Sequence, residues 1–105
     1  MVTVQQVKEA IEQTYEGYEN DFYDEISYSG KKGLSLYSLG IAYHQDSEGG
    51  GGGDGEYMHV VFSIGKQFFR KTGTHSSWDG SDWDGELEEV EPYEVTVVRY
   101  REVKR

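Results

Sequence analysis

An α+β fold, with an N-terminal amphipathic helix packed on a twisted antiparallel sheet of about five strands, is predicted by three features of the sequence. Apolar side chains recur at helical spacing in the opening segment only. The remainder is divided into short runs rich in tyrosine, phenylalanine and valine. Between those runs stand glycine- and aspartate-rich clusters that favour turns.

In TVQQVKEAIEQTYEGY, Val4, Val7, Ile11, Tyr15 and Tyr18 lie three or four residues apart, as one face of a helix requires. Thr3 suits the N-cap, and Gln6 three residues later completes a capping box. Glu9, Glu12, Glu16 and Glu19 fall opposite the apolar stripe, in a row of about 15 Å at 1.5 Å per residue. Beyond the helix, FYDEISYS reads as a first β run. LSLYSLGIAYHQ reads as a second, with Tyr37, Leu39, Ile41 and Tyr43 alternating, and GKKG at residues 30–33 turns between them. EYMHVVFSI places Met58, Val60, Phe62 and Ile64 on one face. Gly65 and Lys66 then suit a two-residue type II′ turn into QFFRKT. YEVTVVRYREV, long and β-branched, reads as the final strand, with Pro92 tolerated just before it.

A chain of 105 residues supports one domain, residues 1–105, with one modest core. Residues 46–56, DSEGGGGGDGE, are expected to form a mobile, solvated loop, because five consecutive glycines between acids bury too little surface to offset their ordering entropy. That loop lacks the lysine and the hydroxyl residue of a phosphate-binding P-loop, and its acids repel anions. With no cysteine in the chain, disulfides, thiol catalysis and thiolate zinc sites are excluded. No signal peptide or membrane-length apolar run is visible, so a soluble cytoplasmic protein is expected.

Charge narrows the function. Twenty acids against ten bases leave a net charge of −10, which disfavours direct binding to nucleic acid or an acidic surface and favours a basic protein surface. The acids are concentrated in WDGSDWDGELEEVEPYE, residues 78–94, which holds eight carboxylates, two tryptophans and no base. Its Asp-Gly pairs mark turns leading to a short strand around Glu86 to Val90. The candidate partner-binding residues are Trp78, Asp79, Asp82, Trp83, Asp84, Glu86, Glu88 and Glu89, because an exposed indole ringed by charge is a natural interface anchor. The alternative for each ring is burial against the sheet. Glu9, Glu12, Glu16 and Glu19 form a second candidate surface.

Other chemistry finds less footing. Asp82, Asp84, Gly85 and Glu91 match part of an EF-hand loop, but its first ligand position is Gly80 and no flanking helices are read, so only weak calcium binding is expected. His44, His59 and His75 have no ligand spacing, and no nucleophile, base and orienting group assemble from the sequence. Neither a catalytic residue nor a cofactor is assigned.

FFRKTGTHSSWDGSDWDGELEEVEP, residues 68–92, resembles a segment of small acidic proteins encoded by tailed bacteriophages, in which an aromatic, basic RKTG strand runs through a serine-rich turn into WDG and then EVEP. The resemblance covers about a quarter of the chain and implies a target in the host or its defence machinery. The leading expectation is therefore an inhibitor that occupies a nucleic-acid-binding groove, as DNA mimics and anti-CRISPR proteins do. The alternatives are a self-associating phage accessory protein, homodimeric through its acidic and basic faces, and a sponge for a nucleotide signal. Lys66, Arg70 and Lys71, and Arg99, Arg101, Lys104 and Arg105 further on, supply the basic faces.

Overall fold

The computed structural model describes residues 1–29, 31–49, 56–76 and 80–104. Two helices, α1 (Val4–Tyr15) and α2 (Glu19–Tyr28), precede six strands: β1 (Leu34–Leu36), β2 (Gly40–Gly49), β3 (Glu56–Ile64), β4 (Gln67–Ser76), β5 (Gly80–Asp82) and β6 (Leu87–Val90). Every strand pair is antiparallel, in the order β1-β2-β3-β4-β5, with β6 also pairing with β4. Because β3 takes one edge of β4, β5 and β6 must lie end to end along the other, and the sheet is five strands wide.

The capping box of α1 forms as its sequence dictates: the Gln6 N–H donates to Thr3 Oγ1 (3.1 Å), and the Thr3 N–H donates to Gln6 Oε1 (2.8 Å). The helix ends at Glu16, which turns left-handed (φ 52°), and Gly17 follows at φ 89°. That break corrects the single helix expected through Tyr18. It also divides the row of glutamates, since Glu19 opens α2 instead of closing α1.

The second helix replaces an expected strand. Phe22, Tyr23 and Ile26 are buried at helical spacing, and Glu19 and Asp21 occupy the first turn, where carboxylates complement the helix dipole. Aromatic content had argued for a strand, but it reflects half-buried packing more than a backbone preference. The phenol of Tyr15 donates to Glu25 Oε2 (2.8 Å) and ties the end of α1 to α2. Burial first, and then that carboxylate, push the Tyr15 pKa above the usual range for a phenol.

LSLYSLGIAYHQ is likewise a hairpin and not one strand. Leu36 pairs with Gly40 around Tyr37, Ser38 and Leu39, with Ser38 (φ 64°) and Gly40 (φ 88°) both left-handed. Apparent alternation therefore ran across a turn, and Tyr37, Ile41 and Tyr43 are exposed. β2 then continues through Asp46–Gly49, paired with β3 past a bulge between His44 and Asp46, so this part of the expected glycine-rich loop is strand. Residues 50–55 lie outside the described residues. The β3–β4 hairpin has the two-residue loop expected, with positive φ at Gly65 (61°), as a type II′ turn demands.

Met58, Val60, Phe62 and Ile64 face one side of β3 and are all buried, joined by Ala42, Phe69 and Leu87 from neighbouring strands and by Val7, Ala10, Ile11, Phe22, Tyr23 and Ile26 from the helices. Phe62 sits at the centre of this core, edge-on to Phe22 at 5.4 Å and stacked on Phe69 at 5.9 Å.

Residues 91–104 form neither helix nor strand, and all are exposed, which corrects the expected final strand. The physical reason is occupancy. The run leaves β6 beside β4, whose second edge is already taken by β5 and β6, so it has no place along β4 in which to build a ladder.

Close approach of β5 to β4 depends on Gly73. A Cβ there would meet the Asp82 carbonyl oxygen at 2.5 Å and the Trp83 Cα at 3.0 Å, both backbone atoms that move only with the strand. Gly73→Ala is therefore expected to lower stability by about 1–3 kcal/mol, read as a reduced urea midpoint. An unchanged midpoint would mean that β5 yields without cost.

Candidate functional site

The partner-binding residues expected from the sequence do not share one environment. Trp78 and Asp79 lie outside the described residues. Trp83 is 4% exposed, its ring 5.8 Å from that of Tyr23, and its indole N–H donates to Asp24 Oδ1 (2.9 Å). It is a core residue, and its assignment as a contact residue is corrected accordingly. The ring turns inward because the edge beside β4 is irregular. Asp82 pairs with Thr74 and Leu87 with Lys71, so the edge carries extra residues between those pairs. The Gly85 N–H donates to the Thr72 carbonyl (3.0 Å) and holds the loop to β4. A buried, hydrogen-bonded tryptophan satisfies both its apolar body and its one donor.

The carboxylates also divide. Glu88 projects to the sheet face away from the helices, where it accepts from Arg70 Nε (3.0 Å) and the guanidinium closes an ion pair with it. Its charge is largely answered within the chain. Asp82, Asp84, Glu86 and Glu89 are exposed, and none has a Lys or Arg partner among the described residues.

Asn20 connects this edge to α2. Its side-chain oxygen accepts from the Trp83 backbone N–H (3.2 Å), and its amide nitrogen reaches Asp82 Oδ1 (3.5 Å). Glu19 and Asp21 flank Asn20, so the acidic start of α2 stands beside the acidic β5 edge, and the Trp83–Asp24 hydrogen bond extends the junction by one helical turn. Two surfaces that the sequence presented separately are thereby joined where Asn20 meets Asp82 and Trp83. The Glu19 charge is close enough to add to burial, the larger cause, in raising the Tyr23 phenol above its ordinary pKa.

The outward side of the helices continues the field. Glu9, Glu12 and Glu16 surround one shallow surface recess with Gln13 and Gly17. Residues 4–28 carry seven acids against the single base Lys8. None of those acids has a Lys or Arg ion pair among the described residues. Carboxylates held at this density without counter-charges maintain a negative potential that extends about 8–10 Å at physiological salt.

The opposite sheet face is mixed in sign. His59 lies 4.0 Å from Asp46, Arg70 pairs with Glu88, and a groove of about 470 Å³ runs between them, lined also by Val61, Phe68 and Val90. Lys71, grouped by sequence with the exposed bases, is 6% exposed and packs its ammonium 5.3 Å from the centre of the Tyr23 ring. Strand parity was the signal for this: Lys71 shares the buried face with Phe69, and Arg70 does not.

Asp82, Asp84 and Glu91 stand on a strand, in a loop and after a strand respectively, and no group of three or more His, Cys, Asp or Glu able to hold a metal occurs among the described residues. His44 and His59 face opposite sides of the sheet, paired with Phe62 and Glu48. His75 lies on β4. No helix among the described residues is long and apolar enough to cross a membrane.

Compared with known proteins, the chain matches no family, and no curated protein or solved structure is detectably similar to it.

Proposed function

We infer that this chain is a small acidic binding domain of the phage type that inhibits a host or defence protein by occupying its basic, nucleic-acid-binding surface. The observation that carries the reading is that Asn20 joins the acidic start of α2 to the acidic β5 edge, while the glutamates of α1 group around one recess, and among the described residues none of these acids has a Lys or Arg ion pair. Bulk acidity for solubility needs no such grouping, whereas docking into a cationic groove does. Glu9, Glu12, Glu16, Glu19, Asp82, Asp84, Glu86 and Glu89 are the contact carboxylates. Trp78 and Asp79 adjoin them in sequence and extend the proposed surface. Duplex DNA presents one charge per about 3.4 Å along each strand, and carboxylates one helical turn apart, about 5.4 Å, approach that density.

The resemblance of residues 68–92 to acidic phage proteins supports a target in the infected cell, and hence a cytoplasmic site of action. The reading is tested by binding to host nucleic-acid-binding proteins at about 50 and 200 mM salt, with duplex DNA as competitor. Affinity should fall steeply between the two salts, by about 10³-fold for a contact involving some six charges, and DNA should displace the protein. Binding indifferent to salt would remove the electrostatic basis of the proposal.

A further inference from the structure

Residues 93–103, YEVTVVRYREV, present a strand without a sheet. Tyr93, Val95, Val97, Val98, Tyr100 and Val103 are exposed by between 64% and 94%, although β-branched and aromatic side chains in this pattern suit a pleated ladder. An unpaired apolar segment of this length is uncommon on a stable monomer surface. The segment also projects: the radius of gyration is 16.4 Å and the longest extent 64 Å, against about 13 Å expected for the radius of a compact chain of this size.

Tyr93 and Val95, at the start of the segment, line the outer sheet groove together with Gln45 and Asp46 of β2, and that strand has, among the described residues, an edge without a neighbour. β1 covers the outer edge of β2 only from Gly40 to Ala42, and beyond that, from Tyr43 to Gly49, no described strand pairs with it. Such an edge is a template for strand addition unless it is covered. Along it Asp46 and Glu48 are exposed, their partners on β3 being Val61 and His59.

The two features are complementary in charge and in spacing. Residues 93–105 carry four bases against two acids, whereas residues 1–92 carry six bases against eighteen acids. Arg99 and Arg101 are two residues apart, as are Asp46 and Glu48, and in an extended strand that separation places both members of each pair on one face. A chain running beside β2 can therefore set both arginines opposite both acids.

We propose that residues 93–103 add as a strand to the open edge of β2, Tyr43–Gly49, in a second copy of this chain, with Arg99 and Arg101 opposite Asp46 and Glu48. A two-fold arrangement makes the exchange reciprocal. Each copy then covers the other's edge, so the assembly closes as a dimer and does not grow into a fibre. The contact uses the sheet edge distant from β5 and β6, so it leaves the carboxylates of that edge of β5 and β6 free.

Sedimentation velocity of the full chain over a range of concentrations tests this. The expected species has twice the 12.0 kDa mass of the chain. Val97→Pro, at an exposed position outside every described helix and strand, should raise the dimer dissociation constant by at least about tenfold by deleting a ladder donor. Arg99→Glu with Arg101→Glu, or Asp46→Lys with Glu48→Lys, should each weaken the dimer, and the four changes together should restore it. A monomer at every concentration overturns the proposal, and that result includes the case in which the segment pairs with β2 of its own chain. A dimer indifferent to Val97→Pro, or one that the combined charge exchange fails to restore, overturns it as well.

Discussion

Replacing Phe62 with alanine is expected to cost about 3–5 kcal/mol of stability, a large part of the roughly 5–15 kcal/mol that holds a domain of this size together. Phe62 is fully buried in the middle of β3, and its ring touches both layers of the fold: Phe22 and Tyr23 from α2 on one side and Phe69 from β4 beside it. Truncation empties the space where those rings converge, and three aromatic neighbours cannot collapse into it without leaving their rotamers. The check is urea unfolding followed by tryptophan fluorescence, which reports the core because Trp83 belongs to it. Ile41→Ala serves as the control. Ile41 is 45% exposed on β2, and its truncation should shift stability far less. Equal effects at the two positions would contradict the central place given to Phe62.

The second large effect concerns binding. Reversing Glu9, Glu12 and Glu16 to lysine should weaken the interaction with a basic partner by about 100-fold or more at low ionic strength, since each change both removes an attraction and introduces a like-charge contact. The loss should shrink as salt is added. The three side chains are exposed, and their one described hydrogen bond is that from Gln5 to Glu9, so the fold should survive. Glu88→Lys supplies the contrast. That carboxylate lies on the other sheet face and already answers Arg70, so its reversal should disturb a local ion pair and leave partner affinity nearly unchanged. Affinities measured by calorimetry with a purified partner decide the matter. If Glu88→Lys matters as much as the triple reversal, the acidic helical side is not the docking face.

Much of the architecture was legible where short-range chemistry decides the outcome. The Thr3–Gln6 capping box needs only four consecutive residues, and the Gly65–Lys66 turn needs a glycine able to take positive φ between two well-patterned strands. The buried face of β3 follows from period-two alternation of large apolar residues, and it needs no knowledge of what covers it. Errors gathered where one pattern suits two structures. ENDFYDEISY holds aromatic residues that favour strands and an i, i+1, i+4 spacing that favours a helix, and packing against β2 and β3 selects the helix. YEVTVVRYREV is a competent strand by composition, but a strand exists only beside another, and its place along β4 is filled.

The candidate site divides along the same line. That the chain is acidic, and that its acids cluster on one side of the first helix and again after Asp79, follows from the order of residues alone, because charge and helical phase are local properties. Which of those acids act together depended on long-range contacts. Asn20 reaching Trp83 and Asp82 across more than sixty residues merged two acidic segments, and Arg70 withdrew Glu88 to the opposite face. The same contacts took Trp83 out of the surface, since only the assembled edge beside β4 places an indole against Tyr23 and its N–H against Asp24. Pattern along the chain thus assigned charge and phase, while neighbourhood, and with it the fate of every ambiguous aromatic residue, awaited the closing of the sheet.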